Sequence, residues 1–290
     1  MRKIKHVIIG LLILMAVYVG YQYNEGQYPA LHNFVGQVET YLHGGQDAEF
    51  NSAQEQKNSS YQSTGNGLTK QQYNQLANLN FKSGSSPVVA VNNNRSTLNP
   101  RSWKYNHVVY HNLDSLNRTG TNTGYLEARN VTGDSLRVRQ YIMPTGWHQK
   151  KINGVFVVNR GHEIAYSVSA GIDQNGQYNP ENKSGDQNNP KNLFTQTAFA
   201  NQDVQTKYEQ MVRQALCSGK KVIYQVTPIF RDSELMARGV NLQAISTDGA
   251  FNFNVYIYNV QPGVSFNYAT GRSYADSNIR VNWHQTYKNF

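Results

Sequence analysis

Residues 157–164 read VVNRGHEI: two valines, then Asn159, Arg160, Gly161 and His162, then a return to mixed polarity. The longer run GVFVVNR, from residue 154, has the β-branched and aromatic content of a strand. Its apolar part stops where Arg160 and His162 begin, so a guanidinium and an imidazole are presented at the end of a buried strand. Four residues are a weak signal, and their meaning depends on what surrounds them.

Working outward, the spacing of Leu68, Tyr73, Leu76 and Leu79 predicts a helix over residues 68–79. The runs SPVVAVN, HVVYHNL and LRVRQYIMP (residues 86–92, 107–113 and 136–144) read as strands. A loop rich in Asn, Gly and Pro is expected from Asp173 to Pro190, followed by a helix from Asn201 to Cys217. That helix carries an apolar face of Val204, Tyr208, Met211, Val212, Ala215 and Leu216. Asn201, Gln205, Glu209 and Arg213, four apart, form a polar stripe along its border. Such a stripe is placed either to line a cleft or to form an exposed Glu209–Arg213 pair worth only tenths of a kcal/mol. Beyond it, KKVIYQVTPIF and FNFNVYIYNV read as long paired strands, the second with Phe251, Phe253, Val255 and Ile257 on one face. The order of elements is α+β, with a mainly antiparallel sheet and flanking helices.

The 290 residues carry 27 Lys and Arg against 18 Asp and Glu, a formal charge of +9, which suits a polyanionic substrate or a membrane face. Cys217 is the single cysteine, so the chain has no intrachain disulfide and no cysteine-based zinc site; it is read as at least partly buried. Residues 1–23 have a basic start and an apolar run, the pattern of a membrane anchor or a signal segment. An uncleaved anchor is preferred, because no small-x-small cleavage site precedes the polar region. The basic start then places the rest outside the membrane. Residues 24–66, rich in Gln, Asn and Ser, are expected to be a disordered tether, and residues 67–290 the folded domain.

The ordered set NRGH at 159–162, NPKNLFTQTAFANQ at 189–202, then Glu209 and Arg213, resembles the DNA/RNA non-specific endonucleases of the ββα-metal (His-Me finger) type. Within that family it looks most like the membrane-anchored DNA-entry nucleases of streptococci; PTGWHQK at 144–150 and FNFNVYIYNVQPGVSFNYATG at 251–271 fit the same group. The resemblance implies a ββα-metal catalytic motif within the α+β fold. It implies His162 as general base, Asn201 as protein ligand of one Mg²⁺ or Mn²⁺ ion, and Glu209 as holder of the waters around that ion. Arg160 and Arg213 would neutralise phosphate charge. Asn192 and Gln196 would support the site. The chemistry suits the residues: imidazole has an unperturbed pKa of about 6.5, and Mg²⁺ keeps several waters and needs few protein ligands. One position departs from the family pattern, with Asn159 where the family carries Asp. An amide still orients local backbone there, but a charge that tuned His162 would be missing.

The resemblance implies an extracellular, Mg²⁺-dependent phosphodiesterase that grips phosphates of DNA and RNA without reading bases. Its localisation would be the outer membrane face or the medium. No obligate protein partner is evident. Two other readings stay open: a non-catalytic DNA receptor of the same fold, and a Tyr-rich adhesive or structural surface module. Among the remaining residues, His107 and His111 share a strand face without a carboxylate cluster and do not read as a metal site. Gly146-Trp147 reads as a packing turn, His148 as a residue near a substrate groove or packed beside that turn, and Arg231 as a surface arginine in preference to one that reaches the groove.

Overall fold

Strands β1 (Val88–Ala90), β2 (His107–Val109) and β3 (Asn122–Leu126) belong to one six-stranded sheet with β8 (Val222–Ile229), β9 (Gly239–Ser246) and β10 (Asn252–Tyr258). The computed structural model describes residues 67–283 except 134, 135 and 186. The segments read as anchor and tether lie outside the described residues. The sheet runs β1-β10-β9-β8-β3-β2 and every neighbouring pair is antiparallel. β8 and β10 therefore do not pair with each other, as their sequences had implied. β9 lies between them, and both long strands bond to it.

Both faces of this sheet are covered, which is why β8 and β9 are buried at every position. Phe253, Val255 and Ile257 of β10 pack on one side with Val204, Val212 and Leu216, while Tyr256 and Tyr258 pack on the other. That other side carries α1 (Lys70–Ala77), whose Tyr73, Leu76 and Ala77 are buried against Ile229 and the two tyrosines. Thr69 closes the start of α1 in a capping box with Gln72. Arg231 closes the other end, its guanidinium donating to the carbonyls of Ala77 and Leu79 at 2.7 and 3.1 Å. It ties α1 to the sheet, where the sequence had read a surface arginine.

A polar row crosses the middle of the sheet. Gln243 Nε2 donates to Gln225 Oε1 at 3.0 Å, and Gln225 Nε2 donates to Thr123 Oγ1 at 3.0 Å. These residues face one another in register, Thr123 opposite Gln225 opposite Gln243. Each buried amide is satisfied by a neighbouring strand.

The catalytic-type motif stands apart from the main sheet. β6 (Val158–His162) pairs antiparallel with β7 (Leu193–Thr197), and the chain then turns into α2 (Thr206–Cys217). Between them residues Ala200–Gln205 form a π-helical turn, so the helix begins one wide turn earlier than α geometry gives. β4 (Lys151–Ile152) and β5 (Val155–Phe156) precede β6 as a short hairpin, turned by Asn153 and Gly154, both at positive φ. β11 (Val264–Asn267) and β12 (Arg272–Ala275) form a second hairpin.

Three further expectations are corrected. Residues 136–144 form no strand: Val138 and Tyr141 donate their backbone N–H groups to the side chains of Gln187 and Asn188, and Tyr141 and Met143 are exposed. A segment bonded to side-chain amides has no neighbouring strand to bury its apolar residues. Met211, assigned to the apolar face of α2, is 41% exposed, because that face ends at Tyr208, Val212 and Ala215. Cys217, at the last position of α2, is exposed.

Candidate active site

Residues 158, 160 and 162 share one face of β6, buried at its start and opening toward its end. Val158 is buried, and Arg160 and His162 on the same side of the strand line a cavity of about 400 Å³. Asn201, Glu209 and Arg213 from the π turn and α2 line the same cavity, together with Arg137 and Tyr166. Five of the eight expected site residues thus meet around one space. The exposed Glu209–Arg213 pair is absent from the ion pairs of the described residues; Arg213 donates instead to the Thr132 carbonyl at 3.3 Å.

His162 is held by its ring. Nε2 lies 3.1 Å from the Gln187 carbonyl oxygen. A carbonyl only accepts, so Nε2 carries the hydrogen and Nδ1 keeps its lone pair. The Gln140 amide nitrogen is 3.4 Å from the same Nε2, and turning that amide over would put its oxygen there instead. Burial is the main influence on the ring and lowers its pKa to about 4; the Gln187 carbonyl opposes this and the Arg137 charge adds to it. The imidazole is therefore neutral at neutral pH. Glu163, the next residue, is fully buried and does not line the cavity; burial pushes its carboxyl well above the usual range.

Two of the three remaining expected residues, Asn159 and Gln196, sit behind this wall and orient it. Asn159 Nδ2 donates to Asn201 Oδ1 at 3.2 Å, and Asn201 Nδ2 donates to Gln196 Oε1 at 2.9 Å. Gln196 Nε2 donates to Gln205 Oε1 at 2.9 Å, and Gln205 Nε2 donates to Glu209 Oε1 at 2.8 Å and to the His162 carbonyl at 2.9 Å. Four amides point the same way, ending on the one carboxylate among the described cavity-lining residues. Donation at Nδ2 fixes which end of Asn201 is oxygen, and that oxygen retains a lone pair beyond the one Asn159 uses. A carboxylate at 159 would donate nothing, so the amide there matches the direction of this chain. Asn192 acts elsewhere: its side chain accepts from the Ile164 N–H at 2.8 Å and donates to the Ile164 carbonyl at 3.0 Å, clamping the chain just past His162.

Gly161 makes the amide row sterically feasible. A Cβ on this residue would lie 2.2 Å from Gln196 Oε1 and 2.8 Å from Gln196 Cβ. Gly161→Ala is expected to cost about 1–3 kcal/mol of stability by displacing the buried Gln196. Urea unfolding measures it, and an unchanged midpoint would show that Gln196 moves aside freely.

Charge is distributed to attract an anion. Arg137, Arg160 and Arg213 line the cavity together with Glu209. Arg160 is fixed by its Nε bond to the Ile142 carbonyl and by the Trp147 ring, whose centroid is 4.4 Å from the guanidinium carbon. Glu209 is raised to about 7, first by burial, with the Gln205 bond opposing. Gln140, Gln187 and Arg137 were not identified from sequence. They belong to loops, and nothing in their spacing marks them.

The donors around the cavity, an amide oxygen and a carboxylate with open volume beside them, suit a hydrated hard cation. Groups of three or more His, Cys, Asp or Glu able to hold a metal are absent among the described residues, so a soft nitrogen–sulfur site is not built here.

NucA from Streptococcus agalactiae with magnesium ion bound is similar at 30% sequence identity over 72% of this chain and 97% of its own, with a TM-score of 0.56. The same nuclease with no metal bound matches at 29% identity over 72% of this chain and 98% of its own, also with a TM-score of 0.56. The family described as DNA/RNA non-specific endonuclease matches residues 95–248, a span that contains β6, β7, the π turn and α2. That span is more than half of the sequence, and the chain belongs to the DNA/RNA non-specific endonuclease family.

Proposed function

We propose that the protein is a metal-dependent endonuclease that hydrolyses DNA and RNA without base preference, using His162 as general base. The observation that carries this is the single cavity wall on which a neutral His162 with a free Nδ1, the Asn201 oxygen, Glu209 and three arginines converge. His162 Nδ1 takes a proton from water as that water attacks phosphorus. Arg160, Arg213 and Arg137 offset the charge that builds on the phosphate oxygens. Asn201 Oδ1 would hold a divalent cation, Mg²⁺ by analogy with the magnesium-bound NucA, with Glu209 beside it to order the surrounding water. When bound, that ion supplies electrostatic stabilisation to the phosphate and the leaving oxygen. Contacts to phosphate alone carry no sequence information, which accounts for action on many sequences. The N-terminal anchor pattern would place this activity outside the membrane.

The test uses the full chain with supercoiled plasmid and with RNA. Cleavage of both with Mg²⁺, abolished by EDTA and restored by Mg²⁺ or Mn²⁺, is the expected result. Tight binding of DNA without cleavage in any divalent metal would replace the nuclease with a DNA receptor. Neither binding nor cleavage would favour the adhesive reading.

A pH dependence follows from the two titrating groups. His162 is lowered to about 4 and Glu209 is raised to about 7. As pH falls from 8, Glu209 protonates first, so the acid limb of kcat/KM belongs to Glu209 while His162 stays neutral. A cation in the cavity favours the carboxylate, so more Mg²⁺ should move that limb to lower pH. An acid limb that ignores Mg²⁺ concentration would reassign it.

A further inference from the structure

A second groove, of about 450 Å³, is walled by Trp147, His148 and Lys150 on one side and by Arg272 and Tyr274 of the β11–β12 hairpin on the other. Trp147 joins it to the His162 cavity, because the Arg160 guanidinium that stacks on this ring also lines that cavity. The walls are fixed to each other. Gly271 has φ of 80°, and a Cβ on it would lie 1.8 Å from the Gly146 carbonyl oxygen, so hairpin and turn meet backbone to backbone. They are also fixed to the catalytic strand, since the Gln149 side chain donates to the Val158 carbonyl of β6.

The chemistry of the groove is mixed. Lys150 Nζ lies 5.4 Å from the centroid of the Tyr274 ring, which is 55% exposed, and no carboxylate lines the space. An uncharged polymer needs the ring and not the cations, whereas a base-free polyanion needs the cations and not the ring. A nucleic-acid strand uses both: phosphates pair with Lys and Arg, and a base stacks on an exposed aromatic face. The geometry points to this groove as a docking track for a single strand flanking the scissile phosphate. Lys150 and Arg272 would meet phosphates there, and Tyr274 would lie under a base. This rests on the nuclease reading, and it adds that the enzyme holds substrate well beyond the bond it cuts.

The test compares the full chain with Tyr274→Ala, Tyr274→Phe and the double variant Lys150→Ala/Arg272→Ala, each first checked for unchanged thermal unfolding. Fluorescence anisotropy in EDTA reads binding of a labelled single-stranded oligonucleotide across a salt series, with inorganic polyphosphate as a base-free probe. Tyr274→Ala should weaken oligonucleotide binding about 5- to 20-fold, with Tyr274→Phe close to wild type. The double variant should lower the slope of log K against log salt by about 1–2. Polyphosphate binding should fall in the double variant and not in Tyr274→Ala. Unchanged oligonucleotide affinity in both alanine variants would overturn the track. An equal loss of polyphosphate binding in Tyr274→Ala would overturn the base contact and leave a plain polyanion site. Plasmid cleavage by wild type with Mg²⁺, run alongside, tests the nuclease reading separately, so either can fail alone.

Discussion

His162→Ala in the full chain should cleave supercoiled plasmid about 10²- to 10⁴-fold more slowly than wild type, with DNA binding in EDTA unchanged. The size follows from what the substitution removes. The Gln187 carbonyl takes the Nε2 hydrogen, so Nδ1 is the only ring atom able to receive a proton, and burial keeps it unprotonated at neutral pH. Binding should survive, because Arg137, Arg160 and Arg213, proposed to meet the phosphates, line the cavity independently of the ring. A rate within tenfold of wild type would mean that another group accepts the proton. Tyr166, whose ring centroid is 6.3 Å from that of His162, would be the next to test. A parallel loss of binding would show that the ring acts in holding substrate rather than in chemistry.

Glu209→Gln should separate stability from activity. Its carboxyl is raised from 4.5 to about 7, mainly by burial. A raised folded-state value means that the protonated form is favoured by folding. That contribution is complete below pH 4.5 and is lost as pH rises through 7. At pH 8 the protein carries a desolvated carboxylate at a cost on the order of 2 kcal/mol. Glutamine cannot ionise, and its oxygen can keep the bond from Gln205 that Glu209 now accepts. In EDTA, Glu209→Gln should raise Tm at pH 8 by roughly 4–8 °C, and the gain should shrink toward pH 5. The same variant should lose about 10- to 100-fold in Mg²⁺-dependent cleavage if Glu209 orders the water around the ion as proposed. A Tm gain independent of pH would show that desolvation of Glu209 is not its source. Full activity in the variant would remove Glu209 from the proposal.

The departure at position 159 also takes a physical form. An aspartate there could accept from Asn201 but not donate to it, and Asn159 donates. The row Asn159, Asn201, Gln196, Gln205 has one direction, and each amide in it constrains the next. The substitution thus removes a charge from behind the site while keeping a hydrogen bond to the expected metal ligand.

Much of this was readable from residue order alone. The residues Asn-Arg-Gly-His were marked as strand-borne, though with Val158 they make up β6 itself, while Val155 and Phe156 of the apolar run before them form the separate, exposed β5; helical spacing marked α1 and α2. The four-residue interval marked Asn201, Glu209 and Arg213 as an edge that lines the cavity, with Gln205 of the same stripe buried behind it. These are local patterns, in which an apolar period reports one buried face. The strands β3 and β9 were invisible to that logic. Thr123, Gln243 and Asn241 make them look like loop; they are buried because both sheet faces are covered, and amides of neighbouring strands satisfy them there. The segment 136–144 failed in the opposite direction, apolar enough for a strand yet bonded to the side chains of Gln187 and Asn188, about fifty residues away. The tautomer of His162 depends on the Gln187 carbonyl across a 25-residue separation, and the entry angle of Asn201 depends on a π turn. Sequence by itself determined five of the polar groups that line the cavity, Arg160, His162, Asn201, Glu209 and Arg213, but not Arg137 or the loops that hold His162. Tertiary structure alone decided which proton His162 holds and which way Asn201 points, because buried polar groups take their state from partners that only folding brings within hydrogen-bonding distance.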